Sequence, residues 1–218
     1  MKIAAVAFVF AVAVSVGVAR ANENPSFQKP TDFSAMSGSE NAFVASMQAD
    51  LTKRFPTAAD AEKAGYVRYT NPDDTGAISY ANQQWQSTDV HHPSQLWYDK
   101  NGNLLGADYS RLKTGATPPK LWGIKPGRWW EFDRHMHYVL KDSTGKMTYD
   151  RYLADDDWLK AGGSLTNPQA ATLVKLGNAK SADEVATLFN FPMVWDLIVW
   201  VVPNPKGAFA FTNPSVKP

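Results

Sequence analysis

His135 and His137 stand two residues apart in the stretch GRWWEFDRHMHYVL, and in an extended chain side chains two apart point to the same side. At ~3.3 Å of rise per residue their Cα atoms lie ~7 Å apart, so both imidazoles can reach one metal ion at ~2.0–2.1 Å. Continuous alternation would put Glu131 and Asp133 on the same face, with Trp130, Phe132, Arg134, Met136 and Tyr138 on the other. Glu131 and His137 are then ~20 Å apart, too far for all four groups to share an ion. A third ligand has to come from elsewhere. Of the two remaining histidines, His92 is favoured over His91 because Pro93 holds it in extended geometry. Asp133 or Glu131 serves as fourth ligand, or as the acceptor that fixes an imidazole tautomer. Two or three histidines with an open position suit Zn²⁺, Cu²⁺, Ni²⁺ or Fe²⁺ on ligand type. A histidine on the wet face of a half-exposed antiparallel strand needs no ligand at all, and the pattern fits that reading too.

Other chemistries find less support. There is no cysteine, which removes thiolate metal sites, iron–sulfur clusters and covalently attached c-type haem. Ser94 near His92 lacks a Gly-x-Ser-x-Gly elbow. Glu131 and Asp133 project in parallel and do not face each other across a cleft as paired hydrolytic carboxylates do. The run Asp155, Asp156, Asp157 lacks the glycine and terminal glutamate of a calcium loop and reads as a helix start. No reaction is assignable. The aromatic residues offer a second kind of site, in which Trp122 and Trp129, on the Pro-rich connection, line a pocket for an apolar ligand or a sugar ring.

The elements that must position these groups are legible in outline. Phe43, Met47, Leu51 and Phe55 recur at helical spacing, and a second helix is expected over 58–64, with Thr57 as cap and Gly65 as stop. From Gly65 onward the runs are short, aromatic and β-branched. Asn101-Gly102 marks one hairpin and residues 143–145 the tip of another. Helix is expected to return over 155–191 in three pieces, the last, SADEVATLF, opened by Ser181 and Glu184 as a capping box. MVWDLIVWVVP reads as a buried strand. The expected fold is one α+β domain over 40–218: an antiparallel sheet, barrel-like in one version, with N-terminal helices and a helical insertion.

Residues 1–21 read as an export signal, with Lys2, an apolar run and the small-residue site ARA placing cleavage after Ala21; residues 22–39 read as a flexible leader. The run is short and polar for a membrane span, so no membrane association is expected after cleavage. Loss of Lys2 and Arg20 with the signal leaves 20 basic residues against 21 acidic ones. That balance gives no handle for nucleic acid. The expected location is the periplasm or the medium; nothing in the sequence sets an oligomeric state.

Three stretches in order, AEKAGYVRYTNPDDTGAISYAN, HHPSQLWYDKNGNLLGADYS and DLIVWVVPNPKGAFAFTNPSV, carry a pattern of Gly-Tyr, His-Pro hairpin and Val-Trp followed by two Asn-Pro pairs. In this pattern the chain resembles a group of small secreted bacterial proteins of unassigned function. That resemblance implies histidines beside the first aromatic strand and before the final Val-Trp, where this chain has Ser79 and Ile198. It brings no catalytic residues. Two functions therefore stand side by side: an exported protein holding a transition metal at His135 and His137, or a non-enzymatic, envelope-associated module that binds a small ligand or glycan through aromatic side chains.

Overall fold

The computed structural model describes residues 27–28, 30–84 and 89–217. The proposed export signal, residues 1–21, lies outside them. Helix α1 (Gly38–Arg54) begins at Ser37, whose hydroxyl accepts the Glu40 N–H while the Glu40 carboxylate accepts the Ser37 N–H, a reciprocal cap. Helix α2 (Ala58–Lys63) is capped by Thr57 as its sequence suggests.

The strands form two antiparallel sheets. The larger runs in the order β1 (Phe27–Gln28), β6 (Trp130–Phe132), β10 (Val194–Trp200), β5 (Leu104–Leu112), β4 (Gln95–Tyr98), β3 (Ile78–Ala81), β2 (Val67–Arg68). The smaller has β7 (His135–Lys141) between β8 (Met147–Ala154) and β9 (Val185–Phe191). Both expected hairpins form, with Gly102 at φ 80° and Gly145 at φ 85° supplying the left-handed backbone their turns need. The architecture is α+β, with its strands in two antiparallel sheets.

Strand alternation decides what each sheet face meets. On the larger sheet Tyr98, Ala107, Tyr109, Leu197 and Val199 point outward and pack under Phe43, Met47 and Leu51 of α1. On the smaller sheet Met136, Tyr138 and Leu153 point outward and are covered by Trp158 of α3 (Asp155–Lys160) and Leu173 of α4 (Ala170–Lys175). The remaining two faces turn toward each other. Among the described residues no helix is long and apolar enough to cross a membrane.

One sequence expectation fails here for a physical reason. SADEVATLF is not a helix: residues 182–184 make one 3-10 turn, and Val185–Phe191 pairs with β7 from Val185↔Leu140 to Phe191↔His135. The capping cue was real but local, and Ser181 makes no side-chain cap; pairing satisfies one edge of β7 and buries Phe189 and Phe191, which outweighs it. Within the expected leader, residues 31–34 are hydrogen-bonded to the domain. The Thr31 and Asp32 N–H groups donate to the Gly127 carbonyl, and Arg128 donates to the carbonyls of Asp32 and Ser34.

Candidate functional site

The strand carrying the histidines is not continuous. β6 ends at Phe132 in the larger sheet and β7 begins at His135 in the smaller, so Asp133 and Arg134 carry the chain from one sheet to the other. The break shifts the alternation. Phe132 ends up beside His135 and His137, while Glu131 shares its face with Trp195 and forms an ion pair with Lys113 on the far side of the sheet. Glu131 is therefore no ligand to the histidine pair. Asp133 acts through its backbone: its carbonyl accepts a hydrogen bond from His135 Nδ1 at 2.7 Å.

The face read as wet is an inner one. His135 and His137 line a cavity of about 220 Å³ between the two sheets. Tyr152 of β8 and Phe191 of β9 stand on the same side. The opposite wall is the inner face of the larger sheet, with Ser79, Gln95, Trp97, Asp108, Asp196 and Ile198. Tyr69, Thr70 and Asp73, which follow β2, close one side. Gly106 keeps this wall flat: a Cβ there would meet the Val199 carbonyl oxygen at 2.7 Å and Trp97 Cε3 at 3.1 Å.

The two imidazoles meet at Nε2, 2.9 Å apart. Because His135 Nδ1 donates to a carbonyl, it carries the proton, and His135 Nε2 is bare. In the neutral pair His137 must then donate from Nε2, leaving its Nδ1 as the bare nitrogen, which is buried without a hydrogen-bond partner. Burial pushes the His135 pKa down to about 4 against a smaller opposing pull from the Asp133 carbonyl. Burial also holds His137 well below the ordinary value, with the His135 charge adding to it. Both rings are neutral at physiological pH.

Across the cavity lie two carboxyl groups that the sequence reading passed over. Asp196 is 1% exposed and accepts the Ser110 hydroxyl at 2.9 Å; Asp108 is 5% exposed, and its Oδ1 has no partner. They sit on adjacent strands, diagonal across the pairs Asp108↔Ile198 and Ser110↔Asp196. Burial raises both pKa values, Asp196 to about 7; the Asp196 charge adds to the rise at Asp108, and a hydrogen bond from the Trp97 side chain to that carboxyl group opposes it. Among the described residues neither forms an ion pair. Tyr69 donates to Gln95 Oε1 on the same wall.

The other expected site residues lie elsewhere. His92 pairs with Asp89 and lines a separate surface pocket with Arg54, Asp60 and Tyr66, so the third imidazole does not join. Pro93 does extend the chain there, but the strand it leads into starts two residues on and carries Gln95, not His92, to the cavity. Trp122 and Trp129 stack on each other at 6.1 Å, and Trp122 on Phe43 at 5.3 Å, where they pack with the cluster beneath α1. Among the described residues no three His, Asp or Glu side chains gather as a ligand set. Ser79 and Ile198, where the resemblance implies histidine, both line the cavity.

No family model matches the chain, and neither does any curated protein or solved structure.

Proposed function

We propose that the protein is an exported binding protein whose small ligand occupies the cavity between the two sheets. The observation that carries this reading is the buried, unpartnered Asp108 Oδ1 in that cavity. An orphaned buried acceptor costs roughly 1–3 kcal/mol, more when charged, and an occupant with a hydrogen to donate removes that cost. Aromatic walls with a few converging polar groups are what small-molecule sites look like. At about 220 Å³ the space is below the ~300–1,000 Å³ of drug-sized sites. A single ring or short chain fits; a glycan chain does not. The resemblance points the same way, since the positions where it implies histidine border this space.

The test is a fragment panel screened by thermal shift against the wild type and a Ser79→Phe variant that fills the cavity. Binders at ~100-fold over their Kd are expected to stabilise the wild type by ~2.7 kcal/mol and to leave the folded variant unaffected. Equal stabilisation of both proteins would place binding elsewhere.

The histidine pair supports a second reading, a transition-metal site. A metal at ~2.0–2.1 Å from both Nε2 atoms would subtend an angle of about 90° at their 2.9 Å separation. That angle suits cis positions in square-planar or octahedral geometry, favouring Cu²⁺, Ni²⁺ or Fe²⁺ over tetrahedral Zn²⁺. The Asp133 carbonyl on His135 Nδ1 is the outer support such ligands have. The proton displaced from His137 Nε2 would move to the bare Nδ1. Cu²⁺-loaded, tag-free protein is expected to show an electron paramagnetic resonance signal with nitrogen coupling that a His135→Ala/His137→Ala double variant loses. Its survival in the double variant would end this reading.

A further inference from the structure

The charge inventory of the cavity narrows the class of ligand, and this step rests on the cavity being the binding site. Among the described residues that line it there is no Lys and no Arg. The polar wall is dominated by acceptors: the carboxyl groups of Asp108 and Asp196, and Asp73, whose Oδ1 already accepts from Thr75 and Ala77. The histidines give no countercharge, since each is neutral and their Nε2 atoms are engaged with each other. Two carboxyl groups are thus enclosed at 5% and 1% exposure with no cation from the protein beside them. Burying an unpaired carboxylate is costly enough that such groups are paired or kept protonated.

The rest of the lining suits a positive guest. Tyr69, Trp97, Phe132, Tyr152, Phe191 and Phe211 contribute rings, and ring faces attract cations by ~0.5–2 kcal/mol, most strongly where water is excluded. An anion would face two carboxyl groups without one positive partner. A neutral guest would leave the carboxyl pair holding its proton.

We infer that the ligand is a small organic monocation, a primary amine or amidine on one ring or a short chain, whose N–H groups bond to Asp108 and Asp196 within the aromatic walls. Asp108 Oδ1 then gains the donor it lacks, and the ligand supplies the charge the cavity lacks. Binding also carries a proton signature. The titratable groups facing the carboxyl pair are Asp73 and Tyr69 after β2, His135 and His137 from β7, and Tyr152 from β8, and none of them is cationic at neutral pH. Below pH 7 the pair holds a proton that an ammonium must expel, so affinity falls as pH drops from 8 to 5, by about tenfold per unit once the proton is fully bound.

Calorimetry with benzylamine, benzamidine, benzyl alcohol and benzoate separates the possibilities. The two cations are expected to bind wild-type protein at least about tenfold more tightly than the neutral and anionic analogues, a gap of ~1.4 kcal/mol. They should release a proton at pH 6, read from the dependence of heat on buffer ionisation. An Asp108→Asn variant, shown folded by circular dichroism, should lose that preference and the proton release, and Asp196→Asn should repeat the result. If benzyl alcohol or benzoate binds in the cavity as tightly as the amines, the charge assignment falls while the cavity remains a binding site. If the cations fail while other fragments bind and are blocked by Ser79→Phe, the same conclusion holds. If no compound of any charge binds, both readings fall together.

Discussion

At pH 8 the Asp196→Asn variant is expected to melt above the wild type, by roughly 5–15 °C for a gain of about 2–4 kcal/mol. The sign follows from where the proton sits. Burial raises the Asp196 pKa from 3.8 to about 7. Below pH 3.8 folded and unfolded chains are both protonated and the group contributes nothing. As pH rises the unfolded chain ionises first, stability drains away, and the loss is complete above pH 7. Asparagine carries no charge to bury and can still accept the Ser110 hydroxyl, so the variant escapes the loss. At pH 4, just above the unfolded pKa, the difference should shrink to under about 1 kcal/mol. The histidines do not disturb the comparison. With a folded pKa of about 4 against 6.5, His135 contributes stability that is present above pH 6.5 and lost as pH falls toward 4, in both proteins alike. Scanning calorimetry at pH 4 and pH 8 is the measurement; a variant less stable than wild type at pH 8 would mean that the carboxylate is satisfied inside the fold. A stabilising substitution at a cavity wall is what a binding site held against its own stability gives.

Glu40→Ala should cost about 3–5 kcal/mol in urea unfolding, the range for removing one partner of a buried ion pair. Glu40 is fully buried and accepts from Ser37 N at 2.8 Å, Lys125 N at 3.2 Å and Arg128 Nε at 3.1 Å. Burial would raise its pKa, but those donors together hold it below the ordinary value. The variant leaves the Arg128 guanidinium, itself 5% exposed, with two backbone carbonyls, the Phe209 ring and a longer contact of 3.8 Å to the half-buried Asp32 carboxylate. The clamp joins the start of α1, residues 32–34 and the turn before β6, so it fixes where the chain enters the cavity-bearing sheet. A loss under about 1 kcal/mol would show the pair to be as weak as a surface salt bridge.

Much of the architecture was legible because it rests on local chemistry. Thr57, Asn101-Gly102 and Gly145 fix a cap and turns within four residues of themselves. The spacing of Phe43, Met47 and Leu51 identifies the face of α1 that the sheet covers. Period-2 reasoning joined His135 to His137 correctly and misplaced Glu131, because it assumed one unbroken strand. The sheet change at Asp133 and Arg134 carries no proline or glycine to announce it. β9 was missed for a related reason: its cap-like opening is local, while its partner β7 lies some 50 residues away in sequence. The cavity's other wall did leave a signal. Asp196 stands alone in MVWDLIVWVV and Asp108 in LLGADYS, and a lone aspartate inside a buried strand is a carboxyl group waiting for a partner.

A crystal structure of the protein grown with its best-binding small molecule tests the central claim most directly, at a resolution that separates ligand from water. The account predicts the molecule between the sheets, with a donor within hydrogen-bond reach of Asp108 Oδ1 and its body against Trp97 or Phe191. Density for the ligand on the outer surface, with the cavity holding only waters that already satisfy Asp108, would contradict it.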